Sequence, residues 1–202
     1  MSKSVVIGVL ALQGAFAKHI ELLKKMGVEA REVRKPQDLN ECDGLIIPGG
    51  ESTTILRQMG FIKMQESLHE FMEKKAIFGT CAGLILLSKK VLGSHIKPLG
   101  MIDIAVERNA FGRQTESFKT KLELHLGKEK AGPFAAIFIR APRIRECGEN
   151  VEVLAEYEGE PVLVQQGYCL GATFHPELTE DPTIHHHFVN MVKANKKSLK
   201  NP

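Results

Sequence analysis

No apolar run in these 202 residues approaches the roughly 18 that a membrane-spanning helix needs, so a membrane is not an expected partner. Cysteines are few: Cys42, Cys81, Cys147 and Cys169, with no C-x-x-C pair among them. A chain of this length, 43% hydrophobic, buries a core without staples, so disulfides are not expected and a reducing cytoplasm is the expected setting. Internal repeats, low-complexity linkers and breaks in composition are also missing, which predicts one domain over residues 1–202. A real excess of positive charge is missing as well. The formal net charge is +3, but Lys193, Lys196, Lys197 and Lys200 crowd the last ten residues with no acid among them. Without those four, acidic residues outnumber basic ones by one. The basic balance belongs to a Lys-rich tail, about 193–202, read as a frayed, solvated terminus, and implies no nucleic-acid surface.

What is present is an alternation of strand and helix. Val5–Leu12 reads as a buried strand ending at Gln13-Gly14. With Lys3 before it and Ala15-Phe16-Ala17 after, it loosely imitates a secretory leader, but the next segment is a helix that needs a sheet to pack on. That helix spans Ala15–Met26, with Phe16, Ile20 and Leu23 on one face. Strands follow at Val28–Val33, Gly44–Ile47 and Ala76–Phe78. Helices are predicted after Ser52 as cap through Met59, through Met64, Leu68 and Phe71, and over Ala82–Lys90. The second half is richer in strands: Ile102–Glu107, Lys119–Leu126, Ala135–Ile139, Val151–Glu156, Val162–Gln165 and Cys169–Phe174, with a closing helix at Thr183–Ala194. The pattern predicts an α/β fold: a mostly parallel central sheet, helices on both faces, and some antiparallel strands late in the chain. Ligands bind such sheets at the carboxyl ends of the strands, where Gly49-Gly50 and Cys81 fall.

Cys81 sits in Gly79-Thr80-Cys81-Ala82-Gly83. This is the thiol counterpart of the G-x-S-x-G elbow, where a sharp strand-to-helix turn presents the nucleophile and glycines prevent clashes on either side. The helix starting at Ala82 would direct N–H groups at the sulfur and favour the thiolate. The other three cysteines read as small buried groups. A base for Cys81 is offered by His175, in the stretch GATFHPELTED. Glu177 lies two residues on, on the same side of an extended segment, and would hold one imidazole nitrogen while the other faces Cys81. His-Pro-Glu alone also fits a plain strand-end turn. The order nucleophile, histidine, acid is not the α/β-hydrolase order. Paired glycines in IIPGGESTT, Ile46–Thr54, allow close backbone approach, and an N–H from Gly49 or Gly50 with that of Ala82 could form an oxyanion hole. No G-K-[ST] follows, which excludes a phosphate loop. The run His185-His186-His187 is not read as a metal site, because consecutive helical side chains diverge.

Together these segments resemble the triad (class I) glutamine amidotransferases over nearly the whole chain, from Val5 to about Val192. LALQGAFAKH near the N-terminus, VERNAFGRQ at Val106–Gln114, IRAP at Ile139–Pro142 and GENVEVLAEYEG narrow the resemblance to the glutaminase subunits of pyridoxal 5′-phosphate synthase. The resemblance implies a three-layer fold and hydrolysis of L-glutamine to glutamate and ammonia through a Cys81 thioester, with His175 and Glu177 completing the triad and no cofactor or metal. It implies that Gly50, Glu51, Ser52, Arg108, Ile139 and Arg140 bind glutamine; without it the two arginines read as surface groups. It also implies an ammonia-accepting partner on a separate chain, a (β/α)₈-barrel synthase in a large hetero-oligomer, contacted near Gln13. Members of such a family are poorly active alone, and docking organises the oxyanion hole. The alternatives are a glutaminase for another ammonia acceptor and a non-catalytic regulatory module of the same fold.

Overall fold

The computed structural model describes residues 4–108, 117–127 and 130–199. Residues 109–114 of the VERNAFGRQ stretch lie outside the described residues, as do Lys3 and Lys200.

A seven-stranded sheet forms the middle of the molecule. Strands β1 (Val6–Leu10), β3 (Gly44–Ile47) and β4 (Ala76–Thr80) read as nearly unbroken apolar runs because both their faces are covered. β2 (Glu29–Val33) lies at the edge beside β1 and is correspondingly polar, burying only Val33. On the other side of β4, β12 (Cys169–Ala172) pairs parallel, and β11 (Glu160–Gln166) and β10 (Glu152–Tyr157) continue antiparallel. The order is β10-β11-β12-β4-β3-β1-β2. This is the mixed sheet that the sequence predicts.

The period of two along each strand feeds two separate cores. Leu45, Ile47 and Ile77 turn toward α2 (Ser52–Phe61), α3 (Met64–Met72) and α4 (Ala82–Leu87). A small sheet of β5 (Ser88–Leu92), β6 (Ile102–Glu107) and β9 (Arg143–Cys147) closes that side. Ile46, Phe78 and Leu170 turn the other way, toward α1 (Phe16–Lys25), α5 (Thr183–Ser198) and the hairpin β7 (Ser117–His125) and β8 (Lys130–Ile139).

Several expectations need correction. The helix after Cys81 stops at Leu87, not Lys90, and the chain continues as a strand. The backbone N–H groups of Leu99 and Met101 take the carbonyls of Leu86 and Leu87, and Ser88 Oγ donates to Ile85 O at 2.8 Å. Those partners end the helix by satisfying its last carbonyls from outside. Strand β9 has no counterpart in the sequence reading; its polar RIREC composition hid it. Glu51, not Ser52, caps α2. The buried face of α1 is His19, Leu22 and Leu23, rotated from the Phe16 and Ile20 line. Cys147 is exposed, unlike Cys42 and Cys169, whose thiols burial pushes up to about 11. The expected frayed tail is helical through Ser198: Asn195 is buried, and Lys196 Nζ reaches Asp43 Oδ2 at 2.7 Å.

Candidate active site

Three strand ends converge on one pocket of about 450 Å³. β3 delivers Gly49, Gly50 and Glu51, β4 delivers Cys81, and the chain after β12 delivers His175. This is the carboxyl edge of the parallel sheet. Arg108, Ile139, Arg140, Ser52 and Ala82 line the same pocket. Glu177 and Gln13 are not among the residues that line it.

Cys81 adopts φ 48° and ψ −103°, a conformation an L-residue takes only under constraint. The constraint is visible at the flanking glycines. A Cβ on Gly79 would sit 2.6 Å from the carbonyl carbon of Gly83, and one on Gly83 would overlap Ile47 O. Backbone segments therefore touch on both sides of the elbow, and only glycine fits between them. The helix that follows has six residues, so its help to the sulfur comes from unpartnered first-turn N–H groups rather than from a long dipole.

His175 and Glu177 are nearly buried, at 7% and 4% exposure. His175 Nδ1 lies 2.7 Å from Glu177 Oε1. The two face each other because Pro176–Leu178 closes into a 3₁₀ turn, not because the segment is extended as the sequence suggested. Burial opposes charge on the imidazole. Hydrogen bonds to the Cys81 sulfur and to Glu177, with their charges, outweigh it and raise His175 to about 10. Burial also opposes charge on Glu177, but His19 and His175 beside it hold the carboxyl below its ordinary value. Gly49 packs directly beneath the ring, where a Cβ would overlap His175 Cε1.

The backbone around Gly49 is engaged elsewhere. Its N–H donates to Thr80 Oγ1 at 3.1 Å, and its carbonyl accepts from the Ala15 N–H at 3.2 Å. In this conformation the Gly49 N–H is therefore engaged by Thr80 rather than free for an oxyanion beside Cys81. Ala82 opens α4, so its N–H has no acceptor within the helix. Gln13 Oε1 accepts the Glu51 N–H at 2.8 Å and so braces the far end of this loop.

Glu51 caps α2 with its carboxylate, which accepts from the N–H groups of Thr53 and Thr54 at 3.2 and 2.7 Å and from both threonine hydroxyls. Led by the Thr53 hydroxyl, these bonds pull it down to about 2. Arg108 adds a contact at 3.2 Å. Ser52 Oγ is buried at the pocket wall with no hydrogen-bond partner among the described residues. Arg140, at the end of β8, has φ 44°. Ile139 O lies 3.9 Å from Cys81 Sγ.

Sequence reasoning missed two participants. In the sequence Thr80 stands out only as part of the elbow, whereas its hydroxyl holds the Gly49 N–H. His19 was seen only inside LALQGAFAKH. Its signal was its helical position, three residues beyond Phe16, where a polar group is turned into the sheet. The adjacent histidines diverge: His185 Nε2 meets His19 Nδ1 at 2.9 Å, and His187 Nε2 meets Gln165 Oε1 at 2.7 Å.

A sequence model described as the SNO glutamine amidotransferase family matches residues 9–194. The chain is 54% identical to the pyridoxal 5′-phosphate synthase subunit PdxT of Thermosipho africanus, over 93% of this chain and 98% of that protein. It is 52% identical to the same-named subunit of Thermotoga maritima, over 93% and 99%. Among solved structures, a glutamine amidotransferase superposes with a TM-score of 0.86 at 48% identity, covering 93% and 98% of the two chains. A chain of PurLQS from Thermotoga maritima superposes at 0.71 with 16% identity, covering 98% and 100%, a likeness of fold alone.

Proposed function

The chain belongs to the SNO glutamine amidotransferase family, and from that premise we propose that it is the glutaminase subunit of a pyridoxal 5′-phosphate synthase, releasing ammonia from L-glutamine for a synthase partner. One arrangement carries this reading. Cys81, at a strained strand-to-helix elbow, shares a pocket with His175, whose Nδ1 is held by the buried Glu177.

The chemistry follows from that arrangement. The Cys81 sulfur attacks the side-chain amide carbon of glutamine, and His175, kept protonated by Cys81 and Glu177, delivers a proton to the departing ammonia. A γ-glutamyl thioester remains on Cys81. His175 then takes a proton from water, the hydroxide attacks the thioester carbon, and glutamate leaves as the sulfur is restored. Glutamine and water have become glutamate and ammonia. A pocket of about 450 Å³ suits an amino acid. Arg108 and Glu51 offer opposite charges to the ligand's carboxylate and ammonium, and the unpartnered Ser52 hydroxyl offers a further hydrogen bond.

The oxyanion donors are proposed to be Ala82 and a reoriented peptide at Gly49 or Gly50. The bond from Gly49 N–H to Thr80 supports a resting state that is not yet assembled. The partner is proposed to be a (β/α)₈-barrel synthase in a large hetero-oligomer, docking near Gln13. Gln13 holds the Glu51 N–H, so a partner that moves Gln13 also releases the loop.

The test is glutamate release from L-glutamine by the chain alone and with a purified pyridoxal 5′-phosphate synthase subunit. Strong stimulation that vanishes in Cys81→Ala is the expected result. Equal rates with and without the partner would remove the gating, and no activity in either would remove the glutaminase assignment.

A further inference from the structure

Helix α1 buries one polar side chain that the proposed chemistry leaves unused. His19 is fully buried. Its Nδ1 lies 2.9 Å from His185 Nε2 on α5, and its Nε2 lies 3.3 Å from Thr80 Oγ1 and 3.4 Å from Glu177 Oε2. A leucine would serve the packing of this helix face at lower desolvation cost, so the imidazole needs its partners. Those partners belong to both halves of the site. Glu177 Oε1 holds the His175 ring while Oε2 faces His19; Thr80 Oγ1 holds the Gly49 N–H and also faces His19.

The network dictates where the proton sits. Burial lowers both His19 and His185, so each ring is neutral near pH 7 and carries one N–H. The groups facing His19 are Glu177 and His175 from the segment after β12, Thr80 from β4, and His185 from α5. A carboxylate only accepts, and Glu177 Oε2 has no hydrogen-bond partner among the described residues, with His19 Nε2 standing 3.4 Å from it. A proton on His19 Nδ1 would aim the Nε2 lone pair at that oxygen. A proton on Nε2 removes the repulsion and leaves Nδ1 to accept from His185 Nε2–H. His185 Nδ1 is then a bare lone pair, in keeping with its lack of a partner, where a buried unpaired N–H would cost more.

The geometry points to His19 as a positioning residue of this site: its Nε2–H, within hydrogen-bond distance of Thr80 Oγ1 and 3.4 Å from the unpartnered Glu177 Oε2, keeps the carboxylate aimed at His175 and links it to the peptide at Gly49. This rests on the glutaminase reading of the pocket. His19 touches neither the pocket nor the reacting atoms; it acts through Glu177 and Thr80. When the Gly49 N–H leaves Thr80, that hydroxyl keeps His19 as a donor, so the loop can turn without leaving Thr80 unpaired.

Three variants in the full chain, assayed with the synthase subunit, test the assignment. His19→Gln places an amide N–H near the Nε2 position, His19→Asn places one near Nδ1, and His19→Leu has none. We expect His19→Gln to keep kcat within about threefold, while His19→Asn and His19→Leu lose roughly tenfold or more with KM changed less than about twofold. In the same two variants His175, followed by NMR, should titrate at lower pH than in the parent chain. Equal kcat for His19→Gln and His19→Asn would overturn the assignment, as would an unchanged His175 titration in His19→Leu or a loss that only follows the folded fraction. If His19→Leu fails to fold, the Gln and Asn pair decides. Absence of glutaminase activity in the parent chain would sink the functional reading, while the His175 titration still decides whether His19 positions the triad.

Discussion

Cys81 holds φ 48° because the backbone on both sides leaves its sulfur no other route into the pocket. Replacing it with alanine keeps the turn and removes the sulfur, so Cys81→Ala should fold and release no glutamate. The same variant reads the charge balance. Cys81 is among the groups raising His175, so its loss should lower the pH at which His175 titrates in an NMR pH series. Folding makes His175 hold its proton more tightly than its ordinary 6.5. Its contribution to stability is therefore complete below about pH 6.5 and fades as pH rises toward about 10. The melting difference between the parent chain and His175→Gln should accordingly be larger at pH 6 than near pH 10. Thr80 acts on the other half of the site. Thr80→Val removes the acceptor of the Gly49 N–H, so activity without the partner should rise and stimulation by the partner should shrink. Unchanged stimulation would mean that Thr80 is not the latch.

Among the elements, α2 depends most on a single side chain. Glu51 supplies its cap, and Glu51→Ala should cost about 1 kcal/mol in chemical denaturation. The Glu51 carboxyl is lowered by its partners, so its contribution is present above its ordinary 4.5 and lost as pH falls through about 2. Gly83→Ala would drive a methyl into Ile47 O and should misplace the elbow, seen as lost solubility or a much lower melting temperature. The strands β1, β3 and β4 were legible because coverage on both faces leaves a continuous apolar signature. The elbow and the HPE triplet were legible because their chemistry is local. Strand β9 and the short α4 were not, since both are set by partners distant in sequence: β6 pairs with RIREC, and the 99–101 segment ends the helix. From sequence Ser52 reads as the cap because serine is the commoner capping residue, whereas in the structure the Glu51 carboxylate, with four local donors and Arg108, takes that place. His19 was hard to read because its helical spacing from Phe16 does not say what a buried imidazole would meet, and its partners lie 61, 158 and 166 positions away in Thr80, Glu177 and His185.

The whole molecule places its two cores on opposite faces of one sheet and its chemistry at the edge between them. Phe188 of α5 is fully buried against Phe78, three residues before Cys81. Phe188→Ala should cost about 3–5 kcal/mol and lower the melting temperature by roughly 10 °C. The activity of the fraction still folded should stay near that of the parent, because no contact with the pocket is lost. Two opposite charges that line the pocket, Arg108 and Glu51, pair with each other at 3.2 Å. A ligand bearing both an ammonium and a carboxylate can enter by exchange of partners, with no net charge moved into the site. An amine or an acid alone strands one side of that pair. On the proposed glutaminase reading this pair favours a zwitterion, and the KM for glutamine should depend only weakly on ionic strength; a steep salt dependence would count against the pairing.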